Sequence, residues 1–374
     1  MHKRPTKPMR FALLLLAPVA ITLGCRLSTA ESHAEAACPT AGARTVIVAS
    51  PETLRRALNC AKGDTTIALR PGQYGRLEIN GRTGITLRSE SAAAHASFDQ
   101  IKVVNSKRID LAQLRLEGDK AGVQFRLMVS GSTDVKAAEL DVPGNGADFD
   151  LPVVGAVFVD GSQRVTLERL RISRMQFGIS FRNVDGLTIA ACRISGLRTD
   201  GIRGTGTSNL AIVGNRIDSF RYAEGDHPDG IQLWTANQKA SARNVRISEN
   251  LILRGEGKPS QGVFIGNEDP HWGYENLMIT DNVIVGTLWN GIAAGNAVDV
   301  RIRGNFVAGL PGQASWIVMR GMANGLVDDN RVSELRLTRD LRMYRNRTGA
   351  IKQREIDQAI ASWTETHSVP DPLP

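Results

Sequence analysis

A short unit that recurs along the chain constrains its fold more than any other feature. Each copy begins with Gly and an aliphatic residue, continues through a loop, and ends in aliphatic-x-Ile-x-x-Asn-x-aliphatic or a close variant. Clear copies begin at Gly178, Gly201, Gly230, Gly262 and Gly291, at spacings of 23 to 32 residues. Strands this short cannot bury their inward face alone, so successive copies must stack on one another. The repeat therefore predicts a solenoid of short strands around one aliphatic core.

The Asn of the unit supports stacking, because equivalent amides in adjacent coils can bond to one another as a ladder. The ladder positions, with Cys192 filling the slot one coil earlier, are Asn215, Asn250, Asn282, Asn305 and Asn330. This ladder and the aliphatic stacks resemble the right-handed parallel β-helix of the pectate-lyase-like superfamily over roughly residues 45–335. The resemblance implies an all-β fold, a right-handed parallel β-helix solenoid. A different all-β solenoid or a propeller is the alternative.

Both ends of the repeat carry helical patterns. PETLRRALNCAK, residues 51–62, places Leu54, Ala57, Leu58 and Ala61 on one face and predicts a short N-terminal capping helix. With the strand that follows, it is similar to the cap and first coil of β-helix lyases such as chondroitinase B and related alginate lyases. After residue 335 the repeat stops, and KQREIDQAIASW predicts a short helix that caps the last coil. The expected organisation is a leader at 1–30, a β-helix at 31–335 and a C-terminal cap and tail at 336–374.

The first 30 residues have the pattern of a secretory signal. Four basic residues within the first ten precede an apolar run at 11–23, which is too short for an ordinary spanning helix. Cleavage after Ser28-Thr29-Ala30 predicts a periplasmic or secreted protein. Alternatively, Leu23-Gly24-Cys25 resembles a bacterial lipoprotein box, with Cys25 as a lipidated N-terminus and the lipid as the only membrane contact. Thr22 departs from that pattern, which prefers Leu there.

Export bears on both the cysteines and the charge. In an oxidising compartment Cys38 and Cys60 form a plausible disulfide, whereas Cys192 lies in a strand-like run and is expected to be buried. The formal net charge is +8, and +4 remains without the four basic residues of the first ten. That mild basicity is compatible with an acidic polysaccharide as partner and is far from a nucleic-acid signature. We expect a monomer.

Equivalent positions of stacked coils lie about 4.8 Å apart in rows, so rows can be written from the repeat. The position before each Gly reads Phe177, Asp200, Asp229, Gln261, Asn290, Ser315. Two places after the Gly, the outward row reads Ser180, Arg203, Gln232, Phe264, Ala293, Val318. Four places after, it reads Arg182, Thr205, Trp234, Gly266, Gly295, Arg320. Polar residues therefore concentrate on the two coils that begin at Gly201 and Gly230.

HPDGIQLW, residues 227–234, is the centre of this predicted site. We expect His227, Asp229 and Arg203 to be catalytic, since His has a pKa suited to proton transfer at neutral pH. Asp200 and Asp229, expected as surface neighbours, suggest either an acid/base pair or a Ca²⁺ site. Ca²⁺ is the only cofactor that the sequence suggests. Substrate contacts are expected from Gln232, Trp234, Arg182, Arg320 and His271.

Three functions fit the pattern. The first is a polysaccharide lyase that cleaves a uronic-acid polymer by β-elimination, a chemistry whose first half is shared by C5-epimerases. The second is a hydrolase, because Arg198-Thr199-Asp200-Gly201 resembles the Asn-Thr-Asp-Gly motif of polygalacturonases, although the other motifs of that family do not follow in order. The third is a non-catalytic carbohydrate-binding or surface protein, which would spread its polar contacts along the rows. The local cluster favours an enzyme.

Overall fold

The computed structural model describes residues 44–118, 122–144, 155–266, 268–310, 312, 315–338 and 341–372. Two helices occur within these ranges, α1 (Pro51–Cys60) and α2 (Gln353–Thr366). The first strands are β1 (Thr45–Val48), β2 (Thr65–Leu69), β3 (Gly72–Gln73), β4 (Arg76–Asn80), β5 (Thr83–Ser89), β6 (Ala96–Phe98), β7 (Gln100–Val104), β8 (Lys107–Ala112), β9 (Leu114–Leu116), β10 (Phe125–Ser130), β11 (Thr133–Ala138), β12 (Asp141–Pro143), β13 (Gly155–Asp160), β14 (Gln163–Glu168), β15 (Arg171–Ser173) and β16 (Phe177–Arg182). The remaining strands are β17 (Asp185–Ala190), β18 (Arg193–Ser195), β19 (Ile202–Thr205), β20 (Ser208–Val213), β21 (Arg216–Asp218), β22 (Asp229–Trp234), β23 (Ala242–Ser248), β24 (Leu251–Leu253), β25 (Gln261–Ile265), β26 (Tyr274–Thr280), β27 (Val283–Val285), β28 (Asn290–Arg303), β29 (Phe306–Ala308), β30 (Trp316–Asp328), β31 (Arg331–Val332), β32 (Glu334–Arg336) and β33 (Leu341–Tyr344).

These strands form three walls, each a sheet of parallel strands, and each turn of the chain adds one strand to every wall. The first wall runs from β4 through β7, β10, β13, β16, β19, β22 and β25 to the first halves of β28 and β30, and ends at β32. The second runs from β1 and β2 to β33, and the third from β3 to β31. Strands β28 and β30 continue around the corner between the first two walls. The predicted all-β, right-handed parallel β-helix is confirmed.

The core is the stack of inward aliphatic side chains, which form one continuous cluster along the solenoid. The repeat Gly is needed where adjacent coils approach closely. A Cβ at Gly201 would lie 2.6 Å from the carbonyl oxygen of Gly230 and 2.8 Å from the Ile217 side chain. A side chain at this position would therefore push neighbouring coils apart.

The predicted Asn ladder is present and is fully buried. Asn250 Nδ2 donates to Asn282 Oδ1 at 2.9 Å and to the Ile212 carbonyl at 2.9 Å, while Asn250 Oδ1 accepts from the Asn215 backbone N–H at 3.1 Å. The ladder extends one coil beyond the prediction, to Asn346. At its other end, buried Cys192 donates its N–H to Asn215 Oδ1. Each amide thus satisfies backbone groups at the bend between the second and third walls.

The ends differ in part from expectation. Helix α1 has a Ser50–Thr53 capping box and buries Leu54, Ala57 and Leu58, as predicted. The solenoid continues past residue 335, because β33 still pairs with β30. Helix α2 is present, but it packs along the outer face of the third wall rather than over the last coil.

Helix α2 places Ile356 and Trp363 against Leu251, Val285 and Ala308 of that wall. The leader at 1–30, with Cys25, and Cys38 lie outside the described residues, so the predicted cleavage, lipidation and Cys38–Cys60 disulfide stay predictions. Neither helix in the described part of the chain is long and apolar enough to cross a membrane.

Candidate active site

The strand register of the first wall confirms the outward rows. Ser180 pairs with Arg203, Arg203 with Gln232, and Gln232 with Phe264. The row before the Gly is also correct at Asp229, which pairs with Gln261. At its far end a register shift makes Trp316, rather than Ser315, the partner of Asn290. The rows therefore place the predicted site on the first wall, at the strands β19 and β22.

Asp200 and Asp229 are neighbours, as predicted, but they are buried rather than on the surface. The Asp229 backbone N–H donates to Asp200 Oδ1 at 3.1 Å. Asp200 is 4% exposed and Asp229 is 0% exposed. They occupy the corner where the chain enters the first wall. Asp229 lies two positions before the inward-facing Ile231 on the same strand, so its side chain also faces inward. Burial raises the pKa of both carboxyls, that of Asp229 to about 6.

His227 is the solvent-facing member of this cluster. Its side chain is 59% exposed, and its Nδ1 lies 3.2 Å from Asp229 Oδ2. The contact with Asp229 raises the pKa of His227. Neither Asp229 oxygen accepts a well-oriented hydrogen bond within the described part of the chain, so the imidazole is the nearest polar group that can balance this carboxylate. His227 and Asp229 form a dyad in which a buried carboxylate holds an exposed imidazole.

Gln261 completes the dyad on the other side of the ring. Its amide nitrogen lies 2.8 Å from His227 Nε2, and its Oε1 is buried without a partner among the described residues. A carboxamide can donate to a neutral imidazole nitrogen or, after rotation, accept from a protonated one. Gln261 can therefore hold His227 in either protonation state. Its row position was visible in the sequence, but no pattern there singled it out as functional.

Arg203 lies one coil before the dyad and is held on three sides. Its Nη1 lies 3.3 Å from Asp200 Oδ2, its Nε donates to Ser180 Oγ at 3.1 Å, and its guanidinium stacks 3.6 Å from the Phe177 ring centroid. Burial lowers the pKa of Arg203, against the opposing effect of Asp200. A quarter of the side chain, 26%, remains exposed on the outer face.

A groove continues from the dyad along the first wall. It has a volume of about 390 Å³, and the outward row forms its floor with Phe264, Ala293 and Val318. Asn290 and Arg320 add polar groups at its sides. Phe264 also contacts His227 edge-on, with ring centroids 6.2 Å apart, so one end of the groove lies beside the dyad, although neither His227 nor Asp229 lines it. The sequence rows indicated that this surface turns apolar.

The other predicted contact residues are distributed unevenly. Gln232 and Trp234 point outward and are half-buried beside Arg203 and Thr205. Arg320 lines the groove. Arg182 lies two coils before Trp234, where Asp160 binds its guanidinium through two hydrogen bonds of 2.9 and 2.7 Å. His271 is 81% exposed on the loop after β25 and pairs with Asp269 at 2.9 Å, with no contact to the dyad.

The two acidic side chains leave little room for Ca²⁺. Asp200 already accepts from the Asp229 N–H and pairs with Arg203, and Asp229 is enclosed beneath His227. No cluster of three or more His, Cys, Asp or Glu suited to a metal occurs in the described ranges. Arg203 takes the place that a cation would have beside Asp200. The Ca²⁺ expectation stays a prediction.

Comparisons with known proteins agree with this architecture. A family model described as a right handed beta helix region matches residues 153–332. The structure is similar to a family 28 exopolygalacturonase from Yersinia enterocolitica, with a TM-score of 0.52 and 8% identity, covering 79% of this chain and 74% of that one. At 8% identity this likeness shows the fold alone.

Two further structures are less similar. The Dettilon tailspike protein gp208 has a TM-score of 0.48 and 10% identity over 79% of this chain, which spans 64% of the tailspike chain. An alginate lyase from Paenibacillus sp. has a TM-score of 0.39 and 13% identity, over 82% of this chain and 99% of that one. No curated protein has a significantly matching sequence.

Three parallel walls, an internal Asn ladder and the family match together define a parallel β-helix protein with a polar cluster on one wall. The chain has the right-handed parallel β-helix fold, and residues 153–332 match the family model of a right handed beta helix region.

Proposed function

We propose that this protein is an exported carbohydrate-active enzyme that cleaves an acidic, uronic-acid-containing polysaccharide by β-elimination. The observation that carries the proposal is the His227–Asp229 dyad, an exposed imidazole held by a fully buried carboxylate at one end of a groove. A polymer laid along the groove would meet the outward rows one coil at a time. The names of the alginate lyase and the exopolygalacturonase are compatible with a polysaccharide substrate, but their likeness concerns the fold.

The dyad supplies the proton transfers that elimination needs. With the proton of neutral His227 on Nδ1, the nitrogen that lies 3.2 Å from Asp229 Oδ2, its unprotonated Nε2 is the base. Nε2 takes the proton from C5 of the uronate, the C5–H electron pair forms the C4=C5 double bond, and the C4–O4 bond breaks. The imidazolium then returns its proton to O4 of the departing chain. Because Nε2 has a single lone pair and the Gln261 amide nitrogen lies 2.8 Å from it in the free protein, the Gln261 side chain must move off Nε2 before the sugar C5–H can reach the base.

Elimination also requires that the sugar carboxylate beside the abstracted proton be neutralised, since negative charge develops there. Arg203 and Gln232 lie in the outward row adjacent to the dyad and are assigned this role. Arg320 lies three coils further along the groove, about 14 Å at the spacing of paired strands, and is assigned to a more distant sugar carboxylate. A hydrolase or a C5-epimerase would use the same substrate contacts and differ only in the chemical step.

Hydrolysis is the second candidate, and the raised pKa of Asp229 favours it, because a general acid must hold its proton near neutral pH. Burial counts against it. A carboxyl with no exposed surface cannot reach a glycosidic oxygen directly and acts only through His227. Asp200, at 4% exposed and paired with Arg203, is no better placed.

The deciding experiment records ultraviolet absorbance of the unsaturated uronate, which only elimination produces. Purified mature protein is incubated with alginate, polygalacturonate, glucuronan and glycosaminoglycans, with and without Ca²⁺, and new reducing ends are measured in parallel. We expect absorbance to rise with at least one polymer. New reducing ends without absorbance would replace the lyase by the hydrolase, and neither signal with any polymer would count against both.

Variants assign the step. His227→Ala and Asp229→Asn should abolish the absorbance signal. His95→Ala is the matched control, because His95 also lies against a buried carboxylate, Asp141 Oδ2 at 3.4 Å, but on the third wall. Full activity in His227→Ala would refute the assignment of the base.

A further inference from the structure

The outer face of the third wall is divided into a charged half and an apolar half. From β15 to β29 the first position of each strand changes from charged to apolar between β21 and β24, reading Arg171, Arg193, Arg216, Leu251, Val283, Phe306, and the row is charged again at Arg331 of β31. Helix α2 covers the apolar half. The segment 368–372 continues from the helix over the charged half, where it borders two cavities. One of these has the features of a binding site.

That cavity has a volume of about 180 Å³ and lies between β15, β18 and the end of the tail. Its lining is rich in cationic side chains and contains a single acidic one. The charged members are Arg171, Arg174, Arg193, Arg221 and Glu256, and the hydroxyl members are Ser173, Ser195 and Ser219. It lies on a different wall from the His227 groove. The site is therefore independent of the proposed catalysis.

Two buried donors at this cavity lack partners within the described residues. Ser173 is 9% exposed, and its Oγ has no hydrogen-bond partner, although the equivalent Ser195 one coil on donates to Asp218 at 2.7 Å. Arg193 has a side chain that is 15% exposed, and its Nε is also unpartnered. Buried donors are almost always satisfied in folded proteins, so an unpaired pair at one cavity points to a missing acceptor.

The charges around the cavity are also unbalanced. Asp141 binds Arg171 through both of its carboxylate oxygens. Asp218 is shared by two guanidinium groups, with Arg193 Nη2 at 3.2 Å and Arg216 Nε at 2.9 Å. One carboxylate cannot neutralise both, and burial lowers the pKa of Arg193 in spite of Asp218. A further negative charge beside Arg193 would restore the balance.

We propose that this cavity binds a small oxyanion, with Arg193 Nε and Ser173 Oγ as its buried donors and the surrounding arginines as its counter-charge. The shared chemistry is a compact anionic group with several acceptor oxygens, which describes both the carboxylate of a sugar acid and free phosphate or sulfate. In the first case the wall carries a second carbohydrate-binding site. Asp371 of the tail acts electrostatically on Arg193 and competes with the anion.

Isothermal titration calorimetry on the full chain tests this site with sodium phosphate, sodium sulfate and sodium glucuronate, at ionic strength held constant with NaCl. We expect saturable one-to-one binding of at least one anion. Ser173→Ala should weaken it about tenfold, as for a hydrogen bond to a charged group, and Arg193→Gln should weaken it further. Asp371→Asn should tighten it several-fold.

The control is Arg246→Gln, which removes an exposed arginine from the second wall and should leave the affinity unchanged. Thermal unfolding of Ser173→Ala without anion checks folding, and no loss of stability is expected when an unsatisfied buried hydroxyl is removed. Tighter binding of glucuronate identifies a sugar-acid site, and tighter binding of phosphate or sulfate identifies a free-anion site. Absence of saturable binding, or equal affinity in wild type, Ser173→Ala and Arg193→Gln, would overturn the proposal.

Discussion

The replacement Asp229→Asn should make the protein more stable at neutral pH while it removes the activity. The Asp229 carboxyl is 0% exposed and accepts no well-oriented hydrogen bond in the described part of the chain. Its pKa of about 6 compares with an ordinary value of 3.8, so ionising it in the folded protein costs about 3 kcal/mol. The Asn side chain has nearly the same shape and carries no charge, so it avoids this cost.

The pH dependence follows from the direction of the shift. Between pH 3.8 and about 6 the folded state binds a proton at Asp229 that the unfolded state has released, so stability falls as the pH rises. The pKa of His227 is also raised, so its contribution is likewise present at low pH and lost as the pH rises through the folded value. Asp229→Asn should therefore be no more stable than the wild type near pH 4, where it also lacks the His227 contribution, and exceed it by about 1–3 kcal/mol at pH 8.

Urea unfolding followed by circular dichroism at pH 4 and pH 8 measures this difference. Asp218→Asn is a matched control of opposite sign. Asp218 is also buried, at 4% exposed, but its pKa is lowered, because Arg193, Arg216 and Ser195 outweigh its desolvation. That variant should lose stability at pH 8 and recover relative to wild type as the pH falls. An Asp229→Asn protein that is less stable at pH 8, or differs equally at both pH values, would refute the reasoning.

Three further predictions concern binding and stability. Arg320→Ala should raise KM for an acidic polymer several-fold with little change in kcat, measured by initial rates, because Arg320 lines the groove away from the dyad. Asn250→Ala should cost about 3 kcal/mol in urea unfolding by leaving buried ladder partners unsatisfied, whereas Asn80→Ala, whose exposed amide bonds the exposed Glu78, should cost less than 1 kcal/mol. Trp363→Ala should cost about 3–5 kcal/mol and expose α2 to proteolysis, since Trp363 is 4% exposed against the third wall, whereas Trp289→Ala, 56% exposed, should be near neutral.

The solenoid and its ladder were predictable because stacking makes each coil specify its neighbours. Once Gly201 and Gly230 are aligned, the rows through Arg203 and Gln232 follow without knowledge of the loops. The prediction fails where the repeat is interrupted: the register shift after Asn290 pairs it with Trp316, and no single coil reveals such a shift in advance.

The candidate site was predictable in position but not in environment. Alternation along a strand says which residues face outward, but Asp200 and Asp229 lie at a corner, where the chain turns and both carboxyls become enclosed. The contact of Gln261 with His227 Nε2 could not be predicted from the sequence either, because Gln261 reaches it from the next coil. Residues 353–372 follow the third wall because helix α2 packs on the apolar patch at Leu251 and its neighbours. The local sequence of the tail does not indicate where that patch lies.

The burial of Asp229 also separates an enzyme from a binding module. A module that only holds a polysaccharide has no use for a carboxylate beneath its surface, since that group touches no ligand and destabilises the fold. The fold accepts an uncharged side chain at this position, because Gln261 is buried at the equivalent position one coil later. A carboxylate is required only if His227 must carry a proton and be held while doing so. The cost in stability at Asp229 thus falls on the coil where proton transfer is proposed, which is the pattern expected of a catalytic group and not of a surface spread evenly along the rows.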